Sequence, residues 1–382
     1  MHKKKFTSPA VLFCITAIIS VLFLSVQSKA QKTVKPNVIA YYTGQNSVID
    51  SFPVEKLSHL IYSFGHLKGD SLNIRSAKDS ALITRMVALK QRNPTLKVMI
   101  ALGGWSGCAP CSEVFSRADG RKTFAETTKE ILDFFHADGI DIDWEYPAVM
   151  GFPGHRYTAE DKHNFTLLIK ELRKKLGKKA EISFAAGGTK NCIDSCFEWD
   201  KVMPLVNRVN LMSYDLVSGY AVKSGHHSPL YATAEQDLSG DFGVQALIKL
   251  GVPAQKIALG AAFYARVFEN STDANQGLYQ PTKFIGGVSF KNFKKEFSNL
   301  NGYHYYWDET AQAPYYYNPQ TKRIATFDDP KSISLKTKYV IDQKLNGIMF
   351  WELTDDAYTD GLLNVIDKTI KDYRELPKVT TQ

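Results

Sequence analysis

Short runs rich in β-branched and aromatic residues recur at residues 37–44, 59–67, 97–105, 139–147, 181–188, 208–216, 256–266 and 347–356, each flanked by turn-forming residues. Between several of them, 122–137, 160–176, 243–250 and 332–345 carry apolar positions three and four apart, the period of an amphipathic helix. Strand–helix alternation repeated eight times predicts an α/β fold, a closed parallel (β/α)8 TIM barrel. An open doubly wound sheet is the structural alternative. It calls for a glycine-rich phosphate turn after the first strand, and YYTGQNSV offers a lone glycine.

Strand spacing adds a second expectation. Six start-to-start gaps run from 22 to 48 residues and the last is 91. Within it, 267–331 is rich in Tyr, Phe, Gly and Asn, with YHYYW at 303–307 and PYYYNP at 314–319. A structureless loop of that length does not suit a compact domain. The stretch therefore reads as a small β-rich subdomain inserted between strands seven and eight, beside the barrel mouth where such enzymes keep their chemistry. The expected organisation is a leader at 1–30, a barrel from 31–266 and 332–382, and the insertion at 267–331.

The leader follows from the first thirty residues. Lys3, Lys4 and Lys5 precede an apolar stretch from Ala10 to Val26, and Ser28 and Ala30 place small residues before a cut ahead of Gln31. That is the layout of a secretory signal peptide, so the predicted location is secreted or periplasmic. An uncleaved anchor is the alternative, because the stretch approaches the roughly 17–25 residues of a spanning helix. The Ser-Lys-Ala end favours cleavage, and no later apolar stretch is long enough to span. Net charge is +8, and losing the leader's four lysines leaves +4, too slight to argue for nucleic acid. With 44% hydrophobic and 23% charged residues, the composition is globular and excludes disordered and fibrous classes.

Export leaves Cys108, Cys111, Cys192 and Cys196, an even number that suggests two disulfides. Local pairing, Cys108–Cys111 and Cys192–Cys196, is the first choice among three connectivities. A zinc site built from all four thiolates is the rival, which export and the uneven spacing weigh against. The histidines form no HxxxH or HExxH, and the His226-His227 pair reads as a solvated loop.

The most informative run is DGIDIDWEYP, Asp138 to Pro147. In a strand, Asp141, Asp143 and Glu145 share one face, and Ile140, Ile142 and Trp144 the other. The apolar row should pack on the helices, so the acids project into the barrel. Lone buried carboxylates cost several kcal/mol and adjacent ones repel, so stability alone does not select this arrangement. Successive inward positions lie about 6.5–7 Å apart, so neighbouring acids can share a proton. Glu145, nearest the open end, should be held protonated near neutrality by the two acids behind it, as a general acid needs. A hydroxyl-rich substrate with an acid-labile glycosidic bond fits.

At this point the chain resembles a known family. DGIDIDWE resembles the DxxDxDxE signature of glycoside hydrolase family 18, the chitinases. ALGGW (101–105) resembles the S-x-G-G motif of strand three, with Ala101 where many members carry serine. MSYD (212–215), AFYAR (262–266) and GIMFWELTDD (347–356) are similar to the motifs of strands six, seven and eight. The segment at 267–331 resembles the α+β insertion of deep-cleft chitinases.

The resemblance implies a retaining, substrate-assisted hydrolysis of β-1,4 bonds between N-acetylglucosamine units. Glu145 would protonate the glycosidic oxygen while the substrate's 2-acetamido oxygen attacks, giving an oxazolinium ion. Asp143 would hold the acetamido N–H, and Asp141 would take up the shared proton. Tyr214 would donate to the acetamido oxygen and Asp215 would bind sugar hydroxyl or acetamido groups. Trp351 and Met349, at inward positions of strand eight, would floor the subsite of the distorted sugar. Tyr41, Phe64, Trp105, Met212, Tyr264 and Arg266 would line the cleft. Parity agrees: Met212 with Tyr214, Tyr264 with Arg266, and Ala101 with Gly103 and Trp105 share faces.

Chitin or N-acetylglucosamine oligosaccharides are the expected partners, with no nucleic acid, no membrane after leader removal, no cofactor and no metal, and a monomer as the default. Two rivals remain: an endo-β-N-acetylglucosaminidase acting on N-glycans, and a chitin-binding lectin on an inactive scaffold. Lectin relatives typically lose the acid at the Glu145 position, and this chain keeps it.

Overall fold

The computed structural model describes residues 35–45 and 47–375, so the leader expected at 1–30 lies outside the described residues. The chain forms β1 (Asn37–Tyr42), β2 (His59–Lys68), β3 (Ser71–Asn73), β4 (Lys97–Gly103), β5 (Gly139–Asp143), β6 (Glu181–Gly187) and β7 (Arg208–Met212). It continues with β8 (Ile257–Ala262), β9 (Tyr264–Asn270), β10 (Thr282–Ser289), β11 (His304–Asp308), β12 (Ala313–Asn318), β13 (Arg323–Thr326) and β14 (Gly347–Trp351).

Eight of these strands are parallel neighbours in the order β1-β14-β8-β7-β6-β5-β4-β2, and β1 pairs with β2 to close the ring. This is the (β/α)8 barrel, with β3 as an antiparallel extension on β2. Alternation along each strand sorts its side chains into two cores. Ile140, Ile142 and Trp144 face the helices, where Trp144 packs on Phe115 and Phe165. Ile39, Tyr41, Ile61, Met99, Ala101 and Met349 fill the interior.

The helical periods correspond to helices Ala118–Phe135, Asp161–Leu176, Gly240–Lys249 and Pro330–Asp342. The last begins with a capping box: Asp329 accepts from the Ser332 N–H, and the Ser332 hydroxyl accepts from the Asp329 N–H. The strand expected over 256–266 divides at Phe263 into β8 of the barrel and β9 of a second sheet. That sheet has the order β10-β9-β13-β12-β11 and is antiparallel throughout. Among the described residues no helix is long and apolar enough to cross a membrane.

Two sequence expectations need correction. Cys108 and Cys111 are disulfide-bonded, but Cys192 and Cys196 are buried free thiols. The helix Lys190–Ser195 explains this. The Cys196 N–H donates to the Cys192 carbonyl at 2.9 Å, so the two residues sit one helical turn apart. Side chains four apart on a helix have Cβ atoms about 5–6 Å apart, beyond the roughly 3.5–4.5 Å that a disulfide spans. The bond between Cys108 and Cys111 also removes the four-thiolate zinc alternative. His226 and His227 are buried rather than solvated, and each faces an acid, Asp308 and Asp215 respectively.

Where the second sheet returns to the barrel, Lys336 and Asp328 form a fully buried ion pair at 2.6 Å. Lys336 also donates to the Ser228 carbonyl and hydroxyl, both at 2.7 Å, and Asp328 accepts from the Ala262 N–H at 3.0 Å. Breaking such a pair strands a buried charge. Lys336→Ala should therefore lose about 3–5 kcal/mol of stability, read as a lower denaturant midpoint at unchanged slope. A loss below about 1 kcal/mol would contradict this account.

Candidate active site

The acid row begins deep inside the barrel. β5 pairs with β4 and β6 so that Asp141 lies beside Ala101 and Ser183. Asp141 accepts from the hydroxyls of Ser183 at 2.5 Å and Tyr41 at 2.8 Å, and from the Asn210 amide at 3.1 Å. Burial raises its pKa, while these donors and the buried Arg208 guanidinium oppose the rise. Ser183 and Asn210 were not anticipated. Their signal was present, since each is a polar residue at an inward position of a barrel strand, flanked on both sides by apolar residues.

Asp143 ends β5 and Glu145 lies two residues past it, both buried. One Asp143 oxygen, Oδ1, has no hydrogen-bond partner within the protein. Burial, then the charges of Glu145 and Asp141, push the Asp143 pKa well up. Glu145 is raised to about 7, first by burial and then by the charge of Asp215, against the opposing hydrogen bond of Tyr146. The charge of Glu145 is itself one cause of the Asp143 rise, so the two carboxyls influence each other's titration and burial favours the protonated form of both. The acids behind Glu145 are therefore not the main cause of its rise. Withdrawal from water is.

The chain approaches itself closely here. A Cβ on Gly103, at φ 109°, would lie 2.3 Å from the Asp143 carbonyl, and one on Gly104, at φ 79°, would lie 2.5 Å from the Phe64 ring. Only glycine fits both, which accounts for the GG of ALGGW.

Above the row opens a cavity of about 970 Å³. Asp143, Glu145, Tyr146, Met212, Tyr214 and Asp215 line it, together with Tyr41 and Phe64. Trp105, Tyr264, Arg266 and Trp351 line it as well. On one side Trp351 stacks on Phe64 at 5.7 Å and 15°, and lies 5.8 Å from Tyr41. On the other, Trp105 stands half exposed beside Tyr146, Phe152 and Tyr220. The parity expectation for Trp105 and Tyr214 outran the strands, since β4 ends at Gly103 and β7 at Met212; both residues reach the cavity from the loops beyond. Met349 does not floor the cavity. It is fully buried beneath Tyr214, whose hydroxyl approaches its sulfur at 3.7 Å. Asp141 likewise lies below the cavity lining.

Asp215 forms the opposite electrostatic pole. It sits at φ 57°, accepts from the Tyr264 hydroxyl at 2.7 Å and is gripped at both oxygens by Arg266. Burial would raise its pKa, but Arg266 and His227 hold it well below the usual carboxylate range. One cavity thus holds a carboxyl that keeps its proton and a carboxylate that keeps its charge, the division of labour of acid-base chemistry. Among the described residues, no group of three or more His, Cys, Asp or Glu is placed to hold a metal ion.

This pairing predicts a titration. The upper step of the Asp143–Glu145 set, followed by carbon NMR of labelled carboxyls, should fall by about one unit or more in Asp143→Asn, because a repelling charge is removed. An unchanged upper step would show the two carboxyls to be uncoupled.

Comparisons with known proteins agree with this geometry. Glycosyl hydrolases family 18 matches residues 37–356. Chitinase A1 of Niallia circulans is 35% identical over 298 residues, covering 72% of this chain and 42% of that protein. The chain therefore spans less than half the length of that relative. A family 18 N-acetylglucosaminidase structure from Paenibacillus barengoltzii superposes with a TM-score of 0.80 at 31% identity, covering 87% of this chain and 99% of the other. Chitinase ChiA74 from Bacillus thuringiensis gives 0.82 at 26% identity, covering 89% and 70%.

Proposed function

The chain belongs to glycosyl hydrolases family 18, and from that premise we propose that it is an exported chitinase cleaving β-1,4 bonds between N-acetylglucosamine units with retained stereochemistry. The observation that carries the reading is the cavity floor, where Glu145, raised to about 7, lies in one coupled set with Asp143. Glu145 donates its proton to the glycosidic oxygen as the bond breaks. The 2-acetamido oxygen of the same sugar attacks the anomeric carbon and forms the oxazolinium ion. Glu145, now ionised, takes a proton from the water that opens this ion. Asp143 accepts the acetamido N–H, a role supported by its one oxygen without a partner inside the protein. Tyr214 orients the acetamido oxygen and Asp215 holds sugar hydroxyl or acetamido groups.

Aromatic faces on both sides of the acid, Trp351 with Phe64 and Trp105 with Tyr220, suit sugar rings bound on either side of the scissile bond. The segment 267–331 serves as an inserted wall, and Phe284 of β10 reaches the cavity from it. Removal of the leader would release the enzyme from the cell or into the periplasm as a monomer.

Time-resolved products from a hexamer of N-acetylglucosamine, beside a high-mannose glycoprotein, test the reading. Chitooligosaccharide products with an untouched glycoprotein support it. Cleavage of the glycoprotein instead would make it an endo-β-N-acetylglucosaminidase. Tight hexamer binding without turnover would make it a lectin. A second reading, an N-acetylglucosaminidase releasing only monosaccharide, is favoured by the 31% identical Paenibacillus structure, and the same product series separates it.

Glu145→Gln should lower turnover at least about a hundredfold while hexamer binding survives; near-normal turnover would remove Glu145 as the acid. Because the donor must be protonated, kcat/KM of the wild type should fall as pH rises through about 7. A thiazoline analogue of the oxazolinium ion should inhibit competitively. Indifference to it would point to an enzyme nucleophile.

A further inference from the structure

The two histidines of the segment between β7 and β8 each face an acid, and the acids belong to different parts of the fold. His226 Nε2 lies 3.1 Å from Asp308 of β11, and His227 Nδ1 lies 3.4 Å from Asp215 Oδ1 in the cavity. His227 is fully buried and is not part of the cavity lining.

The other partners of Asp215 differ in kind. Tyr264 and Arg266 both come from β9 and both line the cavity, so a bound sugar can compete with them for the carboxylate. His227 reaches the same oxygen from behind, where no ligand can reach it. It also acts on the backbone: its carbonyl accepts from the Leu216 N–H at 3.0 Å, the residue following Asp215. Asp215 itself occupies the left-handed region at φ 57°, a conformation that its surroundings must hold. The ring lies 5.2 Å from that of Tyr264, the backbone N–H of His227 donates to the Thr326 hydroxyl at 3.3 Å, and Thr326 sits in β13 opposite Arg266. One residue thus contacts the carboxylate, the backbone beside it, the strand that carries its other two partners and the strand paired with that one.

We infer that His227 is a positioning residue, fixing the carboxylate of Asp215 from behind so that its oxygens stay aimed into the cavity when substrate displaces its β9 partners. Facing a carboxylate oxygen, Nδ1 carries the hydrogen, and the neutral ring keeps its lone pair on Nε2, the buried nitrogen without a partner. The inference deepens the proposed function and rests on it for the identity of the ligand.

The test joins a double-mutant cycle with a spectrum. His227→Phe keeps a ring against Tyr264 and removes the donor. It should raise KM for the N-acetylglucosamine hexamer on the order of tenfold with a smaller change in kcat. His227→Asn, whose amide can donate to the same oxygen, should recover most of that loss. In an Asp215→Asn background, His227→Phe should cost nothing further, whereas a residue that only packs would cost the same in both backgrounds. Should His227→Phe not fold, His227→Leu takes its place in the cycle. Nitrogen NMR of the wild type should show the Nδ1–H tautomer at His227, altered in Asp215→Asn. An Nε2–H tautomer, an unmoved KM, or equal losses in both backgrounds would overturn the inference. A wild type that binds but does not cleave the hexamer would overturn the chitinase reading alone, since the tautomer still decides the pairing.

Discussion

Three carboxyls stand in a row on one short segment inside a closed barrel, and the barrel must neutralise them without filling the space above. It does so in a gradient. Asp141, the deepest, is satisfied by Tyr41 from β1, Ser183 from β6 and Asn210 from β7, with the Arg208 guanidinium adding positive charge nearby. Asp143 keeps an oxygen without a protein partner, and Glu145 is left to the raising effect of burial. Each donor comes from a different strand. The row is therefore affordable only once the ring has closed.

The second half of the site obeys the opposite rule. Asp215 is held ionised by Arg266 of β9, a strand of the antiparallel sheet rather than of the barrel, and by His227 behind it, while Tyr264 of β9 adds a hydrogen bond. That sheet is tied back through Asp328, which pairs with the buried Lys336 and accepts from the Ala262 N–H at the end of β8. Two packing systems thus meet at one cavity, the barrel supplying the protonated acid and the second sheet supplying the charged clamp. Their carboxyls are driven apart in pKa by surroundings, not by residue type.

Much of this was legible because two periods coexist in the chain. Three- and four-residue spacing marked the helices, and alternation in DGIDIDWE separated the acids from Ile140, Ile142 and Trp144. The misses have separate causes. Parity was carried beyond the point where β4 and β7 end, so Trp105 and Tyr214 reach the cavity by loop geometry. Met349 obeyed parity yet sits one layer too deep. The thiols of Cys192 and Cys196 are four apart on a helix rather than across a loop, which forbids the expected bond. His226 and His227 looked polar and loop-borne, and their acids lie 82 and 12 residues away along the chain.

The linear order of residues by itself determined which side chains share a strand face, because that depends only on the two-residue repeat of an extended backbone. It thereby marked the acid row, the barrel and the class of chemistry. Tertiary structure decided which of those groups keep protons, because burial and hydrogen bonding are set by neighbours from other strands. Ser183, Asn210 and Arg266 became partners of the acids only when strands remote in sequence were brought within hydrogen-bonding reach, and His227 only when the segment after β7 folded back on Asp215.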